Sequence, residues 1–254
     1  MASRCRTSKA AAAVASAALL VAVARGADAV PACPPNNVRV VTGAPYSALG
    51  TSQTVITLPD GNRIVRQNTI RQWRDSDGRT RAEYSLSSIG GPTPLEVHTT
   101  VTVIDDPAAR ERYMLQPGAK VAVTMTIVPC RIASPPLEPD VTVGPPRPAH
   151  LPLKVSAPVR LGERKLDGET VAGSRIEATI PAGAIGNEQP IRMSAEQWYG
   201  KDLQVVVEAT YQDPRSGETK YKLSDIDRAE PDAKLFQIPD GYSKQPIRGK
   251  TRGQ

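Results

Sequence analysis

Acid–base chemistry at neutral pH falls most readily to histidine, and this chain has two. His98 sits in the alternating run Glu96-Val97-His98-Thr99, on the side opposite Val97, Thr99, Val101 and Val103, so its imidazole faces water. His150 lies in a proline-dense stretch. The patterns GxSxG, HExxH and CxxC and a phosphate-cradling glycine loop are missing from the sequence, so neither histidine has a nucleophile or metal partner at a recognisable spacing. Asp105-Asp106 and Glu230-Pro231-Asp232 are local carboxylate pairs. A calcium site needs about six to eight oxygens from one folded loop, so these pairs read as surface turns. The expectation is a non-enzyme with no cofactor and no metal.

Charge and apolar surface remain. Segment 63–81 places Arg63, Arg66, Arg71, Arg74, Arg79 and Arg81 around Trp73. On two strands joined at Asp77-Gly78, several guanidinium groups would project from one sheet face, and Arg66, Arg71 and Arg79 are the candidates for an anion or partner surface. The same residues equally suit a wetted face with pairs to Asp75, Asp77 and Glu83 and cation–π packing on Trp73. A second distinctive stretch, 172–199, ends in Trp198-Tyr199 just before the strongest strand pattern. Trp198 reads either as a core plug at a sheet edge or as a contact at a cavity mouth.

The elements that must position these groups are strands. Asp60-Gly61, Asp77-Gly78, Asp167-Gly168, Ser216-Gly217 and Asp240-Gly241 are turn signals of the hairpin-closing type. Between them run period-two alternations. Thr80, Ala82, Tyr84 and Leu86 share one face, as do Val121, Val123, Met125 and Ile127. Leu203, Val205, Val207, Ala209 and Tyr211 form a third face, and Tyr221 with Leu223 a fourth. Such patterns mean strands buried on one side and wetted on the other, hence an antiparallel sheet. Single helical turns are expected near 105–112, 194–199 and 225–237. Segment 134–152 is too proline-dense for a strand or helix interior and reads as an exposed crossover loop, with an interdomain linker as the alternative.

Compartment follows from the N-terminus. Arg4, Arg6 and Lys9 precede the apolar run 10–24, and Ala27-Asp28-Ala29 offers small residues for cleavage, so residues 1–29 read as a secretory signal. The run falls short of the roughly 20 residues needed to span a bilayer, and no later stretch approaches that length. Loss of Arg4, Arg6, Lys9, Arg25 and Asp28 with the signal halves the net charge from +6 to +3. That balance argues against a nucleic-acid partner. Cys5 leaves too, and Cys33 and Cys130 remain as a pair in an oxidising compartment. A Cys33–Cys130 disulfide is expected; unpaired thiols and lipid attachment at Cys33 are the alternatives. Hydrophobic residues make up 39% of the chain but aromatics only 4%, so the core must be mainly aliphatic.

Several phrases on this framework carry a likeness: Asp77-Gly78-Arg79-Thr80-Arg81, Ile180-Pro181-Ala182-Gly183, Glu196-Gln197-Trp198-Tyr199, Asp202-Leu203 and Leu235-Phe236-Gln237-Ile238-Pro239-Asp240-Gly241-Tyr242. Across residues 46–242 the chain resembles uncharacterised exported bacterial proteins related to the lipoprotein-sorting carriers. The resemblance implies a half-barrel, one antiparallel sheet wrapped round an apolar cavity that holds acyl chains in characterised relatives. The resulting expectation is a mainly-β protein over residues 30–242, a single curved antiparallel sheet of about ten strands with few short helices, followed by a disordered basic tail at 243–254. It would be exported to the periplasm or beyond and hold an apolar or acyl ligand, from a lipid or lipoprotein, on the concave face. The expected lining is Tyr84, Leu86, Val121, Val123, Met125, Val205, Val207 and Tyr211, with Trp73 and Trp198 nearer the rim. The competing expectation is an envelope interaction module that uses the arginine hairpin to contact an acidic partner.

Overall fold

The computed structural model of the chain describes residues 37–86, 99–130 and 153–247. The first wing comprises β1 (Asn37–Arg39), β2 (Tyr46–Thr57), β3 (Arg63–Arg74), β4 (Thr80–Leu86), β5 (Thr99–Asp106), β6 (Glu111–Gln116), β7 (Val121–Thr126) and β8 (Val128–Cys130). The second comprises β9 (Lys154–Val155), β10 (Val159–Leu166), β11 (Glu169–Ile180), β12 (Ile191–Gly200), β13 (Val205–Asp213) and β14 (Gly217–Asp227). A short 3-10 helix (Ala233–Phe236) and β15 (Ser243–Pro246) follow. Thirteen strands form one curved, open sheet in the order β10-β11-β12-β13-β14-β2-β3-β4-β5-β6-β7-β15, with β9 paired beside β11. β1 and β8 form a separate parallel pair. This is the mainly-β half-barrel layout, with more strands than the ten expected. Two sequential meanders are joined at their centre by the antiparallel pairing of β14 with β2.

Turn chemistry sets the register. At the β10–β11 hairpin both Asp167 (φ 48) and Gly168 (φ 81) are left-handed, the combination that matches the twist of a tight two-residue hairpin. Gly217 opens β14 at φ +89, where a Cβ would lie 2.1 Å from the Val55 carbonyl oxygen, so only glycine lets β14 close against β2.

Local propensity yields to pairing at the expected helical turns. Residues 194–199 lie inside β12, hydrogen-bonded to both β11 and β13, because two ladders outweigh the helix preference of Ala195, Glu196 and Gln197. Residues 105–112 are the end of β5, a turn and the start of β6. The 225–237 region does contain one helical turn, after Pro231, capped by the Asp232 side chain accepting from the Lys234 N–H at 2.9 Å. The single face expected for Leu203 to Tyr211 is interrupted. Leu203 sits in the preceding turn, and a bulge opposite Trp198 and Tyr199 leaves both Val206 and Val207 buried.

The C-terminal region packs as a strap. Phe236, with Leu235, Ile238 and Tyr242, covers Trp73, Ile104, Tyr113, Leu115 and Ala122. Beyond it, Ser243–Pro246 is not disordered tail but β15, parallel to β7, because β7 presents an unpaired edge that those residues satisfy. The remainder of the expected tail, the signal segment, His98, His150, Cys33 and segment 134–152 lie outside the described residues. No helix among the described residues is long and apolar enough to cross a membrane.

Candidate ligand-binding face

Residues paired across a ladder share a face, so the register sorts the candidates. One face carries Tyr46, Ala48, Ile70, Gln72, Ala82 and Tyr84, and continues through Val101, Val103, Met114 and Val123 to Met125. In the other direction it continues through Tyr221 and Leu223 to Ala209 and Tyr211. The opposite face carries Leu49, Arg71, Trp73, Arg81, Glu83, Ile104, Tyr113 and Ala122, and it is this face that the strap covers.

Over the second wing and the centre, the first face is filled. Tyr46, Ala48, Tyr199, Val206, Val207, Ala209, Tyr221 and Leu223 form one buried cluster. Segment 40–45 and the turn before β13 seal it. The Arg74 guanidinium, 4% exposed, donates to the carbonyls of Ala44 and Leu203 and lies 4.8 Å over the Tyr46 ring. Burial lowers its pKa, an effect that Tyr46 opposes. Tyr46 donates its hydroxyl to Gln72 Oε1 at 3.1 Å, and Gln72 Nε2 donates to the Tyr221 hydroxyl at 3.1 Å. Arg39 of β1 reaches down to the Tyr199 hydroxyl at 2.5 Å and to Gln204 Oε1 at 3.2 Å. A cavity of about 160 Å³ persists beside Gln72, Tyr46, Arg39 and Gln204, too small for an acyl chain.

Over the first wing the same face is different. Tyr84, Val101, Val103, Val121, Val123 and Met125 are half-buried, Met114 is 36% exposed, and none of them joins either buried cluster. They form an apolar strip across β4, β5, β6 and β7. It is bounded at one end by Arg112, which donates to Asp105 Oδ1 and Oδ2 at 2.5 and 2.8 Å. Leu86 closes β4 in register with Thr99 on the same row.

The expected lining therefore divides three ways. Tyr84, Val121, Val123 and Met125 come together on this strip. Val205 and Val207 belong to the filled cluster or pack against it, and Tyr211 is tied to Asp213 by its hydroxyl at 3.2 Å. Trp73 and Trp198 lie on the opposite face. Trp73 packs under the strap with Arg81 6.0 Å above its ring. Trp198 lies over Gly173, where a Cβ would stand 2.6 Å from the ring, with Arg164 3.7 Å above it and its Nε1 donating to Glu196 Oε1 at 2.9 Å. Met114 and the valines of β5 complete the strip. The signal for Met114 was the run Tyr113-Met114-Leu115, apolar on both sides of a strand, which marks a sheet buried or used on both faces.

The arginines do not share one surface. Arg66 is exposed on the first face in register with Thr54, and Arg71 is exposed on the second opposite Leu49 and Glu83. Arg79 sits beyond the turn, with its N–H and Nε donating to Asp75 at 2.8 and 2.5 Å and its guanidinium 5.4 Å over Phe236. Arg81 pairs with Glu83 at 2.6 Å and donates to the Leu235 carbonyl at 2.9 Å. Arg74, Arg79 and Arg81 thus hold the chain's own segments. Both carboxylate pairs are likewise occupied. Asp105 holds Arg112, Asp106 caps the Ala108 and Ala109 N–H groups at 2.9 Å, and Glu230 accepts from the Ser76 N–H at 3.1 Å and hydroxyl at 2.5 Å.

Compared with known proteins, this strand layout finds partners only among solved structures; no family model and no curated protein matches the chain. A LolA-superfamily protein from Nitrosomonas europaea is 11% identical at a TM-score of 0.33, covering 80% of this chain and 91% of that one. LprF from Mycobacterium bovis is 13% identical at 0.36, over 79% and 91%. MucB is 11% identical at 0.38 over 78% of this chain, which spans 58% of the MucB chain.

Proposed function

We propose that the protein is an exported, non-enzymatic binding protein that holds an apolar or acyl ligand, from a lipid or lipoprotein, against the strip formed by Tyr84, Val101, Val103, Met114, Val123 and Met125. One observation carries this reading: the strip is contiguous, apolar and half-exposed across four neighbouring strands, beside two clusters of packed core. A contiguous exposed apolar patch on a soluble protein marks a binding surface. Already half-buried, each strip residue of valine or methionine size gains about 1 kcal/mol when fully covered, so a chain laid across several of them is held by their sum. Organic extraction and mass spectrometry of the protein purified from its own secretion pathway tests this, with co-purifying lipid as the expected result. Val123→Asp should abolish the lipid while leaving the fold intact. Protein that emerges empty and does not bind an added fluorescent fatty acid overturns the reading.

Export to an oxidising compartment goes with a Cys33–Cys130 disulfide in the mature protein. Cys130 ends β8 in register with Arg39 of β1, and the Val40 N–H donates to its carbonyl at 3.0 Å, so β1, the first described strand after Cys33, runs beside Cys130. Closing so long a loop restricts the unfolded chain by about 4–5 kcal/mol. Non-reducing mass spectrometry after alkylation checks it: two alkylated thiols, or a diacylglyceryl mass on Cys33, exclude the bridge.

A further inference from the structure

A concavity of about 800 Å³ lies away from the apolar strip, between the β2–β3 hairpin and the strands of the second wing. One cross-sheet row floors it: Val55 of β2 faces Glu218 of β14, Glu218 faces Gln212 of β13, Gln212 faces Ser194 of β12 and Ser194 faces Glu177 of β11. Arg63 pairs with Thr57 at one side and Arg192 with Thr179 at the other, and Arg175 completes the wall. All these residues stand on the same side of the sheet, the side that bears the strap in the first wing.

The charges in this groove are unevenly paired. Asp213 is taken by Arg215 at 2.6 Å, and Glu218 by Lys220 at 2.8 Å and by Gln212 at 2.9 Å. Glu177 stands 4.0 Å from Arg175. The lining thus sets three carboxylates beside three arginines, and two of the carboxylates are occupied by Arg215 and Lys220 from outside the lining. The unpaired cations are Arg63 and Arg192, both exposed, which have no side-chain hydrogen bond or ion pair among the described residues. A guanidinium offers a planar fork of donors matched to the oxygens of a phosphate, and Thr57, Thr179 and Ser194 line the same groove.

We infer that this groove is a binding site for a phosphate-bearing ligand, clamped between Arg63 and Arg192. The site is separate from the apolar strip and does not depend on it. Its volume exceeds that of an inorganic phosphate several-fold, so the phosphate belongs to a larger molecule, a phospholipid headgroup or a free phosphorylated metabolite.

Titration of the purified protein by calorimetry with inorganic phosphate and glycerol 3-phosphate, and sedimentation with phosphatidylglycerol or phosphatidylcholine vesicles, tests the inference. Arg63→Gln and Arg192→Gln should each weaken binding about tenfold, the loss expected for one charge-assisted hydrogen-bonding partner. Lys234→Gln, an equal charge change on the remote strap, should leave it unchanged, and added salt should weaken it. Both variants alter exposed side chains, so circular dichroism should match the parent. Binding of the soluble phosphates supports a free phosphorylated ligand, and binding of phosphatidylglycerol vesicles alone supports a headgroup. If no probe binds, if both lipids bind equally, or if binding survives both substitutions, the inference is overturned.

Discussion

In the second wing, the face bearing Tyr221, Leu223 and Ala209 is closed by segment 40–45 and the turn around Leu203, while the opposite face is a charged groove. In the first wing the arrangement is reversed. The strap closes the face bearing Ile104, Tyr113 and Ala122, and the other face is left half-open and apolar. One twisted sheet thus has two covered and two available surfaces, diagonally opposed. The difference arises from what each covering segment carries: Val41 and the Ala44 carbonyl, which Arg74 holds, at one end, and Leu235, Phe236, Ile238 and Tyr242 at the other. A sheet with two amphipathic faces needs covering on both, and among the described residues the covering segments reach half of each.

Substitution at Trp198 should break the second wing most severely. Trp198→Ala removes a buried ring packed over Gly173 and under Arg164, and should cost about 3–5 kcal/mol in urea unfolding. Gly173→Ala should also destabilise, because its new Cβ meets that ring, and the double variant should lose less than the sum of the two.

The first wing should respond at the strap. Phe236, 3% exposed, is the strap's deepest side chain, and Phe236→Ala should cost about 3 kcal/mol. The Trp73 fluorescence should shift to the red as water enters, since Trp198 lies in the other cluster and does not report on the strap. An unshifted emission with full loss of stability would mean that the two wings unfold as one unit.

Within the arginine hairpin, Arg79→Gln should cost about 2 kcal/mol, because it strands the Asp75 carboxylate, which is 1% exposed. Exposed Arg66→Gln and Arg71→Gln should each stay within about 0.5 kcal/mol of the parent. If these two leave the melting temperature alone yet release an acidic partner in a pull-down, the hairpin has a binding role in addition to its structural one.

The smallest expected effect concerns pH. Hydrogen bonds from the Ser76 hydroxyl and N–H hold the Glu230 carboxyl below its ordinary value of 4.5. Its contribution to holding the segment before the strap is therefore complete above that value and is lost as pH falls through the lower folded value. Ser76→Ala should remove most of this part of the acid dependence, seen as a flatter melting temperature between about pH 5 and pH 3.

Local signals made much of the fold legible. The five turn dipeptides each fall at a turn, and the alternations around Tyr84, Val123 and Tyr221 each mark a strand with two distinct sides. That follows because a strand's side chains alternate whatever it pairs with. Which side is covered cannot be read from alternation. Ala122, 0% exposed, lies on the face that would read as wetted from Lys120, Thr124 and Thr126, because the strap, more than a hundred residues later, docks there. The bulge at Val206 and Val207 likewise depends on β12 across the ladder. The arginines show the same division. Their number around Trp73 is a property of the sequence, but register and strap docking assign Arg74, Arg79 and Arg81 to carbonyls, carboxylates and rings. The same long-range pairing gathers Arg63 with Arg175 and Arg192, more than a hundred residues later, into one groove. Alternation and turns are short-range, so the sequence by itself determined the strands. Covering a face and assembling a site are long-range events, so only the tertiary structure decided which surfaces stay open.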